Sequence, residues 1–268
     1  MPARGLGEFR LVAHVLAVAN QKGGVAKTTT VASLGAALHD LGKRVLLVDL
    51  DPQACLTFSL GVDPDALPIS VHEVLLGELP LGEAIVDTSD GPSLLPATID
   101  LATTESMLLT RTGREYTLRN GLADLSSTVD IDFDHVIIDC PPSLGILTVN
   151  GLTAASELLI PLQCETLSHR GVGQLLNTVK DIQRITNPGL QVLGVLPTLY
   201  DGRTLHSRDV LDDVTDRYGL PVLHPPIARS VRFAEAPAAG RSVLATASRT
   251  KGAQAYRQHA AALAVRVR

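Results

Sequence analysis

The chain has 268 residues, 45% of them hydrophobic but only 3% aromatic, and carries a formal net charge of −5. No apolar run reaches the roughly 18 residues of a membrane span, and the first residues lack the apolar core of a signal peptide. An aliphatic, aromatic-poor composition favours a buried parallel sheet under helices over a β-sandwich. Cys55, Cys140 and Cys164 are odd in number and lack metal-ligand spacing, which fits a reduced cytoplasm. Charge is uneven: the nine basic residues at 217, 229, 232, 241, 249, 251, 257, 266 and 268 face a single acid, Glu235. A positive sector on an acidic chain suits a polyanion partner, and a solvated surface gives the same signal.

Residues 1–13 form a short tail, and 14–268 are expected to be one domain, with no repeat or long linker. From position 15 the chain reads VLAVANQKGGVAKTTT. The apolar start predicts a buried parallel strand. The sequence from Lys27 predicts a helix over 27–40, with Val31, Leu34, Ala37 and Leu38 on one face. A strand, a glycine-rich turn and a helix N-terminus make an anion site. Backbone N–H groups converge there, the helix dipole adds positive charge, and Lys27 supplies a full one. The Thr28 hydroxyl is placed to ligate a magnesium ion on nucleotide phosphates. The general phosphate-loop pattern wants glycine six residues and one residue before the lysine; this chain has Gln21 and Ala26 there. Alanine tolerates a left-handed backbone poorly, so Ala26 is expected to have negative φ or to carry strain.

With an extra lysine, Lys22, directly before Gly23 and Gly24, the loop resembles the deviant form of the ParA/MinD family of partition and positioning ATPases. That resemblance implies ATP and Mg2+ as ligands and nucleotide contacts from Gly23, Gly24, Val25, Ala26, Lys27, Thr28 and Thr29. It also implies that Lys22 reaches across a homodimer interface to the partner's phosphates.

Residues 44–53, RVLLVDLDPQ, predict a second buried strand with carboxylates at its carboxyl end, where open α/β sheets bind ligands. By the resemblance, Asp51 positions and polarises the attacking water, and Asp49 supports the magnesium shell; either also fits a loop cap. Residues 61–132 are the least informative stretch and are assigned no chemistry. Helical spacing at 70–77 and 100–109 and a short strand at 93–96 are broken up by prolines. DHVIIDCPPS at 134–143 is an apolar strand ending in Asp139, the Walker B arrangement, whose carboxylate binds magnesium. His135, at its entrance, is expected to be a partly exposed structural residue. A strand at 158–162, a helix at 168–185 and a strand at 191–197 follow.

By resemblance, Pro197 and Thr198 lie where adenine is enclosed, and Glu235 and Pro237 belong to a second segment lining the base. Arg203, Arg229 and Arg232 resemble the arginines with which Soj-type proteins hold double-stranded DNA nonspecifically. Guanidinium suits phosphate, no aromatic platform for single strands accompanies it, and a surface ion pair is the alternative.

The fold implied is three-layer α/β, a mostly parallel twisted sheet flanked by helices. The function implied is an ATP-dependent sandwich dimer that binds DNA, segregates a chromosome or plasmid, and is released by hydrolysis stimulated by a ParB-like partner. Its expected place is the cytoplasm, on the nucleoid. A MinD-like membrane cycle or action on a protein cluster is the alternative. The apolar residues of 253–268 are mostly Ala and Val, so no stable membrane anchor is expected. An electron-transfer role like that of the nitrogenase iron protein needs cluster-bridging cysteines that Cys140 and Cys164 do not supply.

Overall fold

The computed structural model describes residues 13–128, 132–164, 168–203 and 205–266. The apolar runs fold as strands β1 (His14–Val18), β2 (Val45–Asp49), β3 (Val86–Asp87), β4 (Ser93–Leu95), β5 (His135–Asp139), β6 (Glu157–Gln163) and β7 (Gln191–Thr198). They form one sheet in the order β3-β4-β2-β5-β1-β6-β7. Only the edge pair β3–β4 is antiparallel. Parallel strands need long crossovers, and helices supply them. In chain order these are α1 (Lys27–Asp40), α2 (Cys55–Ser59), α3 (Val71–Leu75), α4 (Leu101–Leu108), α5 (Thr117–Thr128) and α6 (Ile146–Ala154). Then come α7 (Ser168–Ile185), α8 (Leu205–Tyr218), α9 (Arg232–Glu235), α10 (Val243–Thr246) and α11 (Lys251–Ala264).

Side chains alternate along a strand, so each strand feeds two cores. Val15, Ala17, Leu46, Val48, Val136 and Ile138 pack under α3 to α8. Leu16, Val18, Val45, Leu47 and Ile137 pack under α1, α2, α9, α10 and α11. Burial on both faces is why these strands read as unbroken apolar runs. The result is the expected three-layer architecture.

One expectation changes, that for His135, and the C-terminal helix proves to be part of the core. Gly252, Ala253, Ala255 and Ala260 of α11 are buried, and their small size lets the helix lie close to α1. Tyr256 is fully buried, its hydroxyl 3.0 Å from that of Thr30 on α1 and its ring edge-on to Phe233. A Cβ added at Gly252 would stand 2.4 Å from the Phe233 ring. His135 is buried, not partly exposed, because β5 lies between β1 and β2. Its ring meets His14 edge-on at 5.4 Å. Burial, reinforced by the nearby His14, pushes its pKa down to about 4, so it is neutral near pH 7.

Tyr256→Phe keeps the ring and loses one buried hydrogen bond, an expected cost of about 1 kcal/mol. Tyr256→Ala opens a cavity between α11 and α1, an expected cost of about 3–5 kcal/mol. Urea unfolding followed by circular dichroism checks both; equal costs would show that the hydroxyl, not the ring, secures α11.

Candidate functional site

Register assembles the site. Val18 of β1 pairs with Asp139 of β5, and Asp49 of β2 pairs with the same Asp139, so the three strands end level. The loops that follow them therefore meet at one edge of the sheet. The loop after β1 holds Lys22, Gly23, Gly24, Val25 and Ala26 and enters α1 at Lys27. Gly23 and Gly24 are exposed, and a Cβ on either would meet nothing within 4 Å, so the loop backbone is open to a ligand. Gly24 has φ +74°, and Ala26 has φ +64° and ψ +34°. Ala26 is thus left-handed and carries the strain, about 1–2 kcal/mol for a residue with a Cβ.

Other groups hold the strained loop. The Asn20 side chain accepts from the Lys22 N–H at 3.0 Å and donates to the Pro161 carbonyl at 2.7 Å. The Thr198 hydroxyl donates to the Val25 carbonyl at 2.9 Å. Ala54 (φ +51°) and Leu199 (φ +49°) are also left-handed. The three non-glycine outliers among the described residues follow the carboxyl ends of β1, β2 and β7, and such strain persists only where the surroundings over-determine it.

The electrostatics are unbalanced. Lys27 is 8% exposed and Asp139 is 1% exposed. Neither Asp139 oxygen has a hydrogen-bond partner among the described residues. Burial, then the nearby Asp49 charge, raises the Asp139 carboxyl well above its ordinary range, while the Thr28 hydroxyl and the Lys27 ammonium pull the other way. A buried carboxylate in this condition calls for a cation. The donors at hand, the Asp139 carboxylate and the Thr28 hydroxyl, are hard oxygens that suit Mg2+. Among the described residues no group of three His, Cys, Asp or Glu could hold a metal. Magnesium here would complete its shell with phosphate and water oxygens.

Asp49 makes the contacts of a loop cap. Its Oδ2 accepts from the Thr57 N–H and hydroxyl at 2.9 and 2.8 Å, and its Oδ1 accepts from the Asp51 N–H at 3.1 Å. With both oxygens so engaged, Asp49 shapes the loop that carries Asp51. Asp51 lies at the rim, partly exposed, with Oδ1 accepting from the Gln53 N–H at 3.0 Å.

The more distant assignments divide. Pro197 and Thr198 end β7, both buried, and the Thr198 hydroxyl faces the phosphate loop rather than a base. Glu235 is exposed and accepts from Arg232 at 2.7 Å, so these two pair with each other. Pro237 opens a single turn just after it. Arg203 is exposed and grips Asp201 with two hydrogen bonds, of 2.9 and 2.7 Å, which hold that carboxyl down at about 2. The Arg229 N–H bonds the Tyr200 carbonyl at 3.2 Å, and Tyr200 pairs with Ala228, so the segments carrying Arg203 and Arg229 lie side by side. Sequence reasoning missed Asn20 and Thr57. Asn20, a short amide at the loop entrance, carried a local signal for loop bracing; Thr57 carried none.

Asp139→Asn replaces a buried carboxyl, held well above its ordinary range, with a neutral amide of the same shape. Without ligand and with EDTA present, this variant is expected to unfold later in urea, by about 1 kcal/mol or more, while losing magnesium-dependent nucleotide binding. A variant less stable than the parent would show that Asp139 is already well paired.

Residues 13–192 match the family described as the AAA domain. The chain is 42% identical over 244 residues to the chromosome partitioning protein ParA of Caulobacter vibrioides, covering 91% of each chain. It is 41% identical over 243 residues to the sporulation initiation inhibitor protein Soj of Bacillus subtilis, covering 90% of this chain and 94% of Soj. A crystal structure of cobyrinic acid a,c-diamide synthase from Mycobacterium smegmatis with bound ADP and magnesium superposes with a TM-score of 0.83, at 64% identity over 94% of each chain. The MinD cell division ATPase of Pyrococcus furiosus gives 0.75 at 27% identity, over 94% of this chain and 98% of its own. Phosphate loop, Walker B strand and overall likeness agree: the chain belongs to the ParA/Soj family of P-loop ATPases.

Proposed function

We propose that this chain is a nucleotide-gated, DNA-binding ATPase of the partition type. The observation that carries the reading is the buried carboxyl of Asp139, raised above its ordinary range and set beside Lys27 and Thr28, at the mouth of a strained glycine loop. ADP and an ATP analogue, each with magnesium, in crystals of a protein 64% identical support ATP and Mg2+ as its ligands. Lys27 and the backbone of residues 23–29 bind the phosphates, and Asp139 and Thr28 hold the metal. When bound, magnesium neutralises charge on the phosphate oxygens. Asp51, at the rim, orients and polarises the attacking water. Lys22 reaches the nucleotide of a second copy, which makes ATP the glue of a homodimer. Pro197, Glu235 and Pro237 border the base.

Arg203, Arg229 and Arg232 then contact DNA phosphates without reading sequence. Each of two is balanced by a carboxylate a few residues away. Hydrolysis, stimulated by a ParB-like partner, releases the DNA, which gives a cycle on the nucleoid. A switch of this kind needs only a few kcal/mol of difference between states. The burial of α11 against α1 supports this reading over a MinD-like membrane cycle, since its apolar face is already used.

The synthase-named neighbour favours a second reading, ATP-dependent amidation of a carboxylate. ADP release that requires cobyrinic acid would establish that reading; release independent of it supports the first.

Three outcomes are expected. Binding to random-sequence duplex DNA requires ATP, fails with ADP or without nucleotide, and weakens steeply with salt; equal binding in all three states would remove the DNA role. In sedimentation, Lys22→Ala fails to dimerise with ATP, whereas Asp51→Ala dimerises and stays on DNA. Asp201→Asn frees Arg203 and tightens DNA binding, and Arg229→Ala weakens it with a salt slope lower by about one.

A further inference from the structure

We infer that Thr198 is a positioning residue for the phosphate loop: its hydroxyl clamps the Val25–Ala26 peptide in the left-handed turn that leads into Lys27 and Thr28. Ala26 stands where the general pattern puts glycine, and its Cβ disfavours the φ of +64° that it adopts. Something must therefore hold that turn. On one side of Ala26 the Thr30 N–H bonds its carbonyl at 3.0 Å. On the other side the Val25 carbonyl receives the Thr198 hydroxyl at 2.9 Å, across 173 residues of sequence and the intervening strand β6.

Thr198 is well fixed for this work. It is 0% exposed, pairs with Gln163 at the end of β7, and its branched Cβ restricts the hydroxyl to few directions. The backbone beyond it is anchored too. The Tyr200 N–H bonds the Ile227 carbonyl at 2.9 Å, and the Arg229 N–H returns to the Tyr200 carbonyl. The strand end that bears on the phosphate loop therefore also carries the segments of Arg203 and Arg229. The base-lining role that the resemblance gives Thr198 would leave its hydroxyl for the nucleotide, but that hydroxyl is already committed to the loop.

The inference rests on residues 22–29 being the phosphate site proposed above, and the test separates the two. MgADP affinity is measured by calorimetry for the parent, Thr198→Val, Thr198→Ser, Ala26→Gly and the Thr198→Val/Ala26→Gly double variant, with urea midpoints alongside. Valine keeps the shape of threonine without the hydroxyl. Thr198→Val is expected to bind MgADP about tenfold more weakly, with serine restoring the affinity. Glycine adopts the left-handed turn unaided, so in the Ala26→Gly background the valine penalty is expected to shrink to about twofold or less. An undiminished penalty in that background, or MgADP affinity in Thr198→Val equal to the parent's, would overturn the clamp. If Thr198→Val fails to fold, Thr198→Ser with parental affinity and Ala26→Gly with affinity no lower than the parent's support the clamp; a tenfold loss in either overturns it. A parent that binds no MgADP would instead overturn the phosphate-site reading.

Discussion

A level ending of three parallel strands is the constraint on which the site depends. Because β1, β5 and β2 stop in register, the glycine loop, Asp139 and the Asp51 loop share one edge of the sheet. The price is a carboxylate at Asp139 that is buried and without a hydrogen-bond partner among the described residues. Asp49, one strand away, has the same burial but not the same isolation, since Thr57 and the Asp51 N–H engage its oxygens. Two acids at one edge thus divide the work. One builds the loop, and the other is the proposed magnesium ligand. Departures of this kind concentrate at functional sites.

Most of the central architecture was legible because parallel strands buried on both faces leave runs such as VLLV and VIID, and α1 follows its loop with the bounds that periodicity indicates. The helices that sequence reasoning passed over failed for separate reasons. The apolar positions of α8, Val210, Leu211 and Val214, are diluted by acids, and α6 is apolar on most faces and shows little period. In α11 the core face is alanine and glycine around one tyrosine, which reads as weak amphipathicity when it is close packing against α1. The site itself was legible where its chemistry is local, as in the lysine loop and the strand ending in aspartate. It was not legible where a partner is remote: no pattern in DLDPQ says that Thr57 will take the Asp49 carboxylate, and none near Thr198 points to Val25. Ala26 lay between these cases. The residue showed that the position must be unusual, and only the backbone showed that it is left-handed.

The basic C-terminal third is less open than its composition suggests. Arg241 pairs with a nearly buried Asp90, and Arg266 pairs with Glu157, so these two bind the tail to the body. Arg203 and Arg232 hold carboxylates of their own segments. Exposed pairs of this kind are weak and screened by salt, which makes them easy for a phosphate to displace. Arg229 is exposed beside them, at a strand end fixed to the phosphate loop through Thr198. Loop geometry and arginine placement are therefore parts of one strand end, which would give the proposed DNA switch its physical basis.

In the proposed cycle Asp139 is held in reserve for a cation that arrives with the nucleotide. This role is tested most directly by titrating the protein with ATP in magnesium and again in EDTA, for the parent and for Asp139→Ala. The expected result is a gain of about tenfold or more in ATP affinity from magnesium in the parent, lost in the variant. Equal affinity with and without magnesium in the parent, or a gain that survives the substitution, would contradict it.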